Sequence, residues 1–219
     1  LIFAPSPNFD ARPGKVEFLV LHYTGMRSAA EALERLCDRV AKVSSHYVVD
    51  EDGTVYQLVD EANRAWHAGV SFWRGVSGLN DGSVGIEIVN PGHEFGYRAF
   101  PQVQMEAVAR LCRGLIERHG VSAGNVVGHS DIAPDRKQDP GELFPWPWLA
   151  EQGVGLWTDD FAAPGVLTAD LAAIGYDMRF PAATVITAFQ RHFLPDHITG
   201  AADAKTAGRA AALRAWLDD

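Results

Sequence analysis

The chain has 219 residues, 47% of them hydrophobic, which is enough for a real core and more than one average domain needs. Its formal charge of −9 argues against nucleic acid as a partner, because that affinity comes from Lys and Arg neutralising phosphates, and it leaves a carboxylate-bearing ligand dependent on locally placed cations. No apolar run approaches the ~20 residues that span a bilayer, so no transmembrane segment is expected and the chain reads as soluble.

The opening Leu1–Ala4 run is too short for the apolar core of a signal peptide, and a chain that begins at Leu1 carries no information about compartment. Val16–His22 is a β-branched and aromatic run that predicts a strand buried on both faces. Ser28 and Glu31 have capping-box spacing and open an amphipathic helix to about Val40. His46–Asp50 and Thr54–Val59 flank Asp52 and Gly53, a strong hairpin signal. The stretch from Asn63 to Gly82, rich in Trp, Gly and His, reads as loop, and Ser83–Asn90 as a further strand. Pro101–Gly120 carries a helical stripe through Val108, Leu111, Cys112 and Leu115 and stops at its glycine. Asn125–His129 is a short last strand. Cys37 and Cys112 lie on the apolar stripes of the two helices and read as buried thiols, not as a disulfide.

Strands mixed with two long helices predict an α/β domain over residues 1–157, with its sheet ending near Gly153. Beyond a linker at Trp157–Pro164 the composition turns Ala-rich. Val166–Gly175, Ala182–Phe193 and Ala204–Leu217 then predict a small three-helix bundle over residues 164–219.

A hydrolytic zinc site needs three protein ligands and an open position for water. His22 closes the first strand and His129 the last, where α/β folds collect functional groups. Asp139 follows in a loop too polar and Pro-broken to be core. In Ser83–Asn90, Ile86 and Ile88 share one face while Gly85, Glu87 and Val89 share the other. A carboxylate in so apolar a strand must face a polar cavity or meet a heavy burial penalty.

Five segments, LHYT (21–24), SSHYVVDEDGTVYQLV (44–59), RAWHAG (64–69), SVGIEIVN (83–90) and GHSDIAPDRKQDPG (128–141), stand in the order and approximate spacing of one family. Over about residues 15–150 the chain resembles the zinc N-acetylmuramoyl-L-alanine amidases of the AmpD and AmiD type. The resemblance implies a mixed central β-sheet flanked by helices. It implies hydrolysis of the bond between N-acetylmuramic acid and L-alanine in peptidoglycan or muropeptides by a zinc-activated water. The implied zinc ligands are His22, His129 and Asp139, and the implied catalytic pair is Glu87 as proton carrier and Lys137 beside the oxyanion. Trp66 and His67 are implied to face the substrate, and Lys42 to pair with a stem-peptide carboxylate. Asp135 stands where relatives commonly have Gly. The C-terminal helices resemble the small peptidoglycan-binding domain that follows such catalytic domains. That implies a location at the bacterial cell envelope, periplasmic or anchored at the outer membrane, with the cytoplasm as the alternative. It also implies that removing residues from about Pro164 weakens wall binding and spares cleavage of small muropeptides. His192 and His197 read as structural, and Trp146 and Trp148 as packing. The rival readings are a recognition module that binds without cutting, against which all five site positions are filled, and a stem-peptide peptidase, against which the His-Glu-x-x-His motif is absent.

Overall fold

The computed structural model describes residues 1–218. Two short strands, β1 (Ile2–Phe3) and β2 (Phe9–Ala11), precede the first long one, β3 (Phe18–Tyr23). Helix α1 (Ala29–Cys37) leads to a hairpin of β4 (Tyr47–Val49) and β5 (Val55–Gln57). The short strands β6 (Asn63–Ala65), β7 (Phe72–Trp73) and β8 (Val76–Ser77) come before the second long strand, β9 (Ser83–Ile88). Then follow α2 (Gly92–Phe95), α3 (Gln102–His119), β10 (Val126–Gly128), α4 (His129–Ile132) and α5 (Trp146–Glu151). Helices α6 (Leu167–Ile174), α7 (Ala182–Phe193) and α8 (Ala204–Asp218) end the described part.

The central sheet has the order β1-β5-β4-β9-β3-β10. β4, β9, β3 and β10 are parallel neighbours, whereas β5 is antiparallel to β4, so the sheet is mixed as expected. Side chains alternate across it, and the alternation decides where the site lies. Leu19, Leu21, Val84, Ile86, Ile88 and Val126 point to one face, where they meet Met105, Val108, Cys112 and Leu115 of α3. Phe18, Val20 and Val127 point to the other face, into a cluster with Leu171, Ile186 and Phe189 of α6 and α7. Toward the other end of that second face, Val48 and Val89 pack on Ala29 and Leu36 of α1. His22 and Glu87 also lie on the second face, in register with each other on adjacent parallel strands, and belong to neither cluster. Each buried Val, Leu or Phe contributes roughly 1.5–3 kcal/mol of transfer free energy. That apolar burial holds the two polar positions between the clusters.

Helix α1 begins as expected, with Ser28 Oγ accepting the Glu31 N–H at 3.2 Å, but it stops at Cys37 and not near Val40. Asp38 captures the Val40 N–H with its carboxylate at 2.9 Å and turns the chain, leaving Val40 exposed. The last strand is shorter than expected, because His129 opens α4. The stretch from Asn63 to Gly82 is not all loop: β6 pairs with β2 and β7 with β8. Cys112 is buried, Cys37 is half-buried, and neither forms a disulfide. The three C-terminal helices share one apolar cluster with the sheet.

Candidate active site

His22 is the fifth residue of β3, His129 the first of α4 directly after β10, and Asp139 lies in the loop beyond α4. Because β3 and β10 are parallel neighbours, both imidazoles emerge at the same sheet end. His22 Nδ1 lies 2.9 Å from His129 Nδ1, and each lies 3.1 Å from Asp139 Oδ2. All three side chains are buried.

The remaining ring nitrogens also have partners. His129 Nε2 lies 3.2 Å from the Ala68 carbonyl, so that nitrogen carries the hydrogen and Nδ1 keeps its lone pair. His22 Nε2 lies 3.0 Å from His67 Nδ1, and His67 Nε2 lies 3.1 Å from Ser83 Oγ. Donation from His22 to His67 and from His67 to Ser83 is the tautomer arrangement that would free His22 Nδ1 in the same way. Burial, and next the neighbouring His129, pull His22 down to about 4, which keeps it neutral.

This set fits a zinc ion. Bonds of about 2.0–2.1 Å to a tetrahedral metal set neighbouring donors about 3.3 Å apart, close to the observed edges. Three lone-pair atoms brought so near one another are held more favourably around a cation than without one.

Glu87 lines the same cavity of about 640 Å³ as the three donors, together with Lys137, Trp66 and His67. Its Oε2 is buried and has no hydrogen-bond partner among the described residues. Burial first, and the Asp139 charge second, push the Glu87 carboxyl well above the usual carboxylate range, and Lys137 draws it back. Trp66 is half-buried, with Nε1 donating to Asp10 Oδ2 at 2.7 Å. The RAWHAG segment supports the three-donor set: His67 backs His22, and the Ala68 carbonyl backs His129 and also accepts from Arg136 Nη2 at 2.7 Å. His67 therefore has both ring nitrogens engaged within the protein. Lys42 is exposed, with φ of 51°, and does not line the cavity, whereas Arg35 of α1 does. Ala68 acts through its backbone carbonyl, and no local pattern marks the side chain of Ser83 as a ring partner or that of Arg35 as cavity lining, so sequence reasoning missed all three. His192 stacks on Trp146 at 3.8 Å, and His197 pairs with Asp203 at 2.7 Å.

Residues 12–142 match the Amidase_2 family, described as N-acetylmuramoyl-L-alanine amidase. The chain belongs to this amidase family. It is 41% identical to the N-acetylmuramoyl-L-alanine amidase AmiD of Escherichia coli K12, over 91% of this chain and 82% of that one. It is 35% identical to the 1,6-anhydro-N-acetylmuramyl-L-alanine amidase AmpD of Salmonella typhimurium SL1344, over 65% of this chain and 84% of that one. Among solved structures, the amidase superposes on E. coli AmiD in complex with anhydro-N-acetylmuramic acid-L-Ala-D-gamma-Glu-L-Lys. That match has a TM-score of 0.82 and 38% identity and covers 93% of this chain and 91% of that one. AmpDh3 of Pseudomonas aeruginosa matches with a TM-score of 0.84 and 34% identity over 93% of both chains. The mixed α/β architecture of this amidase is thus the one that AmiD and AmpDh3 have.

Proposed function

We propose that the chain cuts the amide bond between N-acetylmuramic acid and L-alanine in peptidoglycan or muropeptides, with His22, His129 and Asp139 holding zinc and Glu87 and Lys137 as the catalytic pair. The reading rests on one observation: an unpartnered, buried carboxylate oxygen of Glu87 in the same cavity as three converging donor atoms. Zinc, when bound, supplies a Lewis acid that lowers the pKa of water toward ~7 and polarises the scissile carbonyl. Glu87, kept unusually basic by burial, accepts a proton from the attacking water and passes it to the departing amine of L-alanine. Lys137 offsets the negative charge that develops on the carbonyl oxygen. Trp66, fixed by Asp10, offers a flat ring to the sugar or peptide, and Arg35, inside the cavity where Lys42 is not, offers a cation to a stem-peptide carboxylate. Such a cation meets the need that the chain's overall negative charge creates.

The C-terminal helices are proposed as a peptidoglycan-contacting unit, and the activity is placed at the bacterial cell envelope. Their likeness to a wall-binding module supports both statements. Among the described residues no helix is long and apolar enough to cross a membrane.

The test is product analysis. The purified full chain, incubated with a soluble muropeptide and separately with sacculi, should release peptides with a new amine on L-alanine and leave a lactyl carboxylate on the sugar. Cleavage inside the stem peptide, or intact substrate with zinc bound to the protein, would overturn the proposal, and the relative rates identify the preferred substrate.

A further inference from the structure

Helix α4 has four residues, far below the length at which a helix holds itself together. Its geometry is imposed by neighbours, and the neighbours converge on Asp131. This carboxyl group is 1% exposed and receives three donors. Gly128 N–H donates to Oδ2 at 2.7 Å, Tyr176 Oη to Oδ1 at 2.7 Å, and His192 Nδ1 to Oδ2 at 2.8 Å. Two of the three donors come from beyond residue 164. Burial and the Asp131 charge push the Tyr176 hydroxyl well above its usual range, so it stays a donor. His192 Nε2 is buried with no partner among the described residues, which places the ring hydrogen on Nδ1, toward Asp131.

The surroundings leave α4 little room to move. A Cβ on Gly128 would meet Pro140 Cδ at 2.7 Å and the Trp146 ring at 3.4 Å, and His192 stacks on that same ring at 3.8 Å. The helix carries both ends of the donor set. His129 is its first residue, and the Ser130 N–H holds the Asp139 carbonyl at 2.9 Å.

We infer that Asp131, Tyr176 and His192 form a buried clamp through which the C-terminal helices position His129 and Asp139, so that Tyr176 and His192 are positioning residues for the donor set. The inference rests on the metal-site reading proposed above. It gives the C-terminal helices a second task besides contact with the wall. It also reverses one expectation from the sequence: removing residues from Pro164 onward takes away two of Asp131's three donors, so cleavage of small muropeptides falls instead of being spared.

The decisive experiment uses the full chain with Tyr176→Phe, which deletes one hydroxyl and keeps a ring of the same shape against Trp73 and Phe189. Zinc affinity, measured by competition with a chromophoric chelator well below the melting temperature, should fall about 10-fold, the lower end for outer partners of metal ligands. In metal-free protein, hydrogen exchange at the Gly128 and Ser130 amides should quicken on the order of 10-fold as α4 opens locally. Turnover at limiting zinc should fall with the affinity while KM stays constant. His192→Asn, which keeps a donor for Asp131, should stay within about threefold of the parent affinity, and His192→Leu should lose about 10-fold or more. If Tyr176→Phe melts lower but keeps parental zinc affinity and parental exchange at Gly128 and Ser130, the C-terminal helices only pack and the inference fails. It fails equally if nothing changes. Should the parent bind no zinc, the metal-site reading falls, and the exchange rates still decide whether the clamp exists.

Discussion

Gly85→Ala tests how tightly the proposed metal ligands are backed. A Cβ at this position would lie 2.3 Å from His67 Cγ and 2.5 Å from two further ring atoms, where ordinary contact begins near 3.4 Å. The ring cannot swing aside freely. It is held by His22 on one nitrogen and Ser83 on the other, and its backbone N–H donates to Asn80 Oδ1 at 3.1 Å. Overpacking a tight site typically costs about 1–3 kcal/mol, and losing the two ring hydrogen bonds adds about 1 kcal/mol each. The sum of about 3–5 kcal/mol corresponds to a melting temperature lower by roughly 6–20 °C in a chain of this size. With His22 no longer backed, zinc affinity should drop by ~10–100-fold. The assay is a cycle of Gly85→Ala, His67→Ala and the double variant, read by thermal melting and zinc competition. Because His67→Ala removes the obstructing ring, Gly85→Ala should be nearly silent in that background. Equal damage in both backgrounds, or none in the parent, would refute the claim that Gly85 exists to admit His67.

Three further outcomes follow from the site and one ion-pair cluster. Metal analysis of freshly purified protein should give one zinc per chain, and a chelator should abolish activity; active protein without metal contradicts the proposed chemistry. Glu87→Ala should lower kcat by ~10²–10⁴ and Lys137→Ala by ~10²–10³ with zinc content unchanged. Metal-free Glu87→Ala should also melt above its metal-free parent, because it removes a buried, unpartnered carboxylate oxygen. Burial alone would raise Glu61, yet Arg118, Tyr47 and His119 hold it down at about 2 against an ordinary 4.5. A depressed carboxyl stabilises the fold fully above its unfolded pKa and loses that contribution as pH falls through its folded one. Up to about 3 kcal/mol should therefore disappear between pH 4.5 and 2. Denaturation midpoints of the parent and Glu61→Gln, far apart at pH 7, should converge near pH 2, and a constant gap would contradict the assignment.

Glu87 was legible in the chain because a carboxylate inside an apolar strand contradicts its surroundings and the period of two gave its face, whereas His22 was marked by its place at the end of a strand and by the family resemblance. The 18-residue helix α3 was legible because a long stripe repeats its signal. Two-residue strands such as β7 and β8 carry no period to detect, and α4 is too short for a stripe. Part of the site acts through backbone or through a missing atom: Ala68 contributes a carbonyl, and Gly85 contributes the absence of a Cβ. Asp131 looked like one more polar residue in a polar loop, because its partners Tyr176 and His192 stand 45 and 61 positions away. His67 was expected to face the substrate. It lines the cavity, but its hydrogen bonds go to His22 and Ser83, a choice set by packing that no local pattern encodes. The shared apolar cluster of α6, α7 and the sheet was hidden for the same reason, since an Ala-rich helical run looks alike whether it packs on itself or on a neighbour.

The wide spacing of the donors has a consequence for how the protein matures. His22 stands 107 positions before His129 and 117 before Asp139. On a growing polypeptide the first histidine is released long before it has anything to converge with, and isolated imidazoles hold divalent ions weakly and without selectivity. The triangle can close only after Asp139 has emerged, and the inferred support through α4 only after His192. On the proposed reading, metal capture thus waits for the collapse that brings the three donors together. The proposed ion would then be drawn from the pool where folding finishes, so a chain that is translated in one place and folds in another would take its metal from the second.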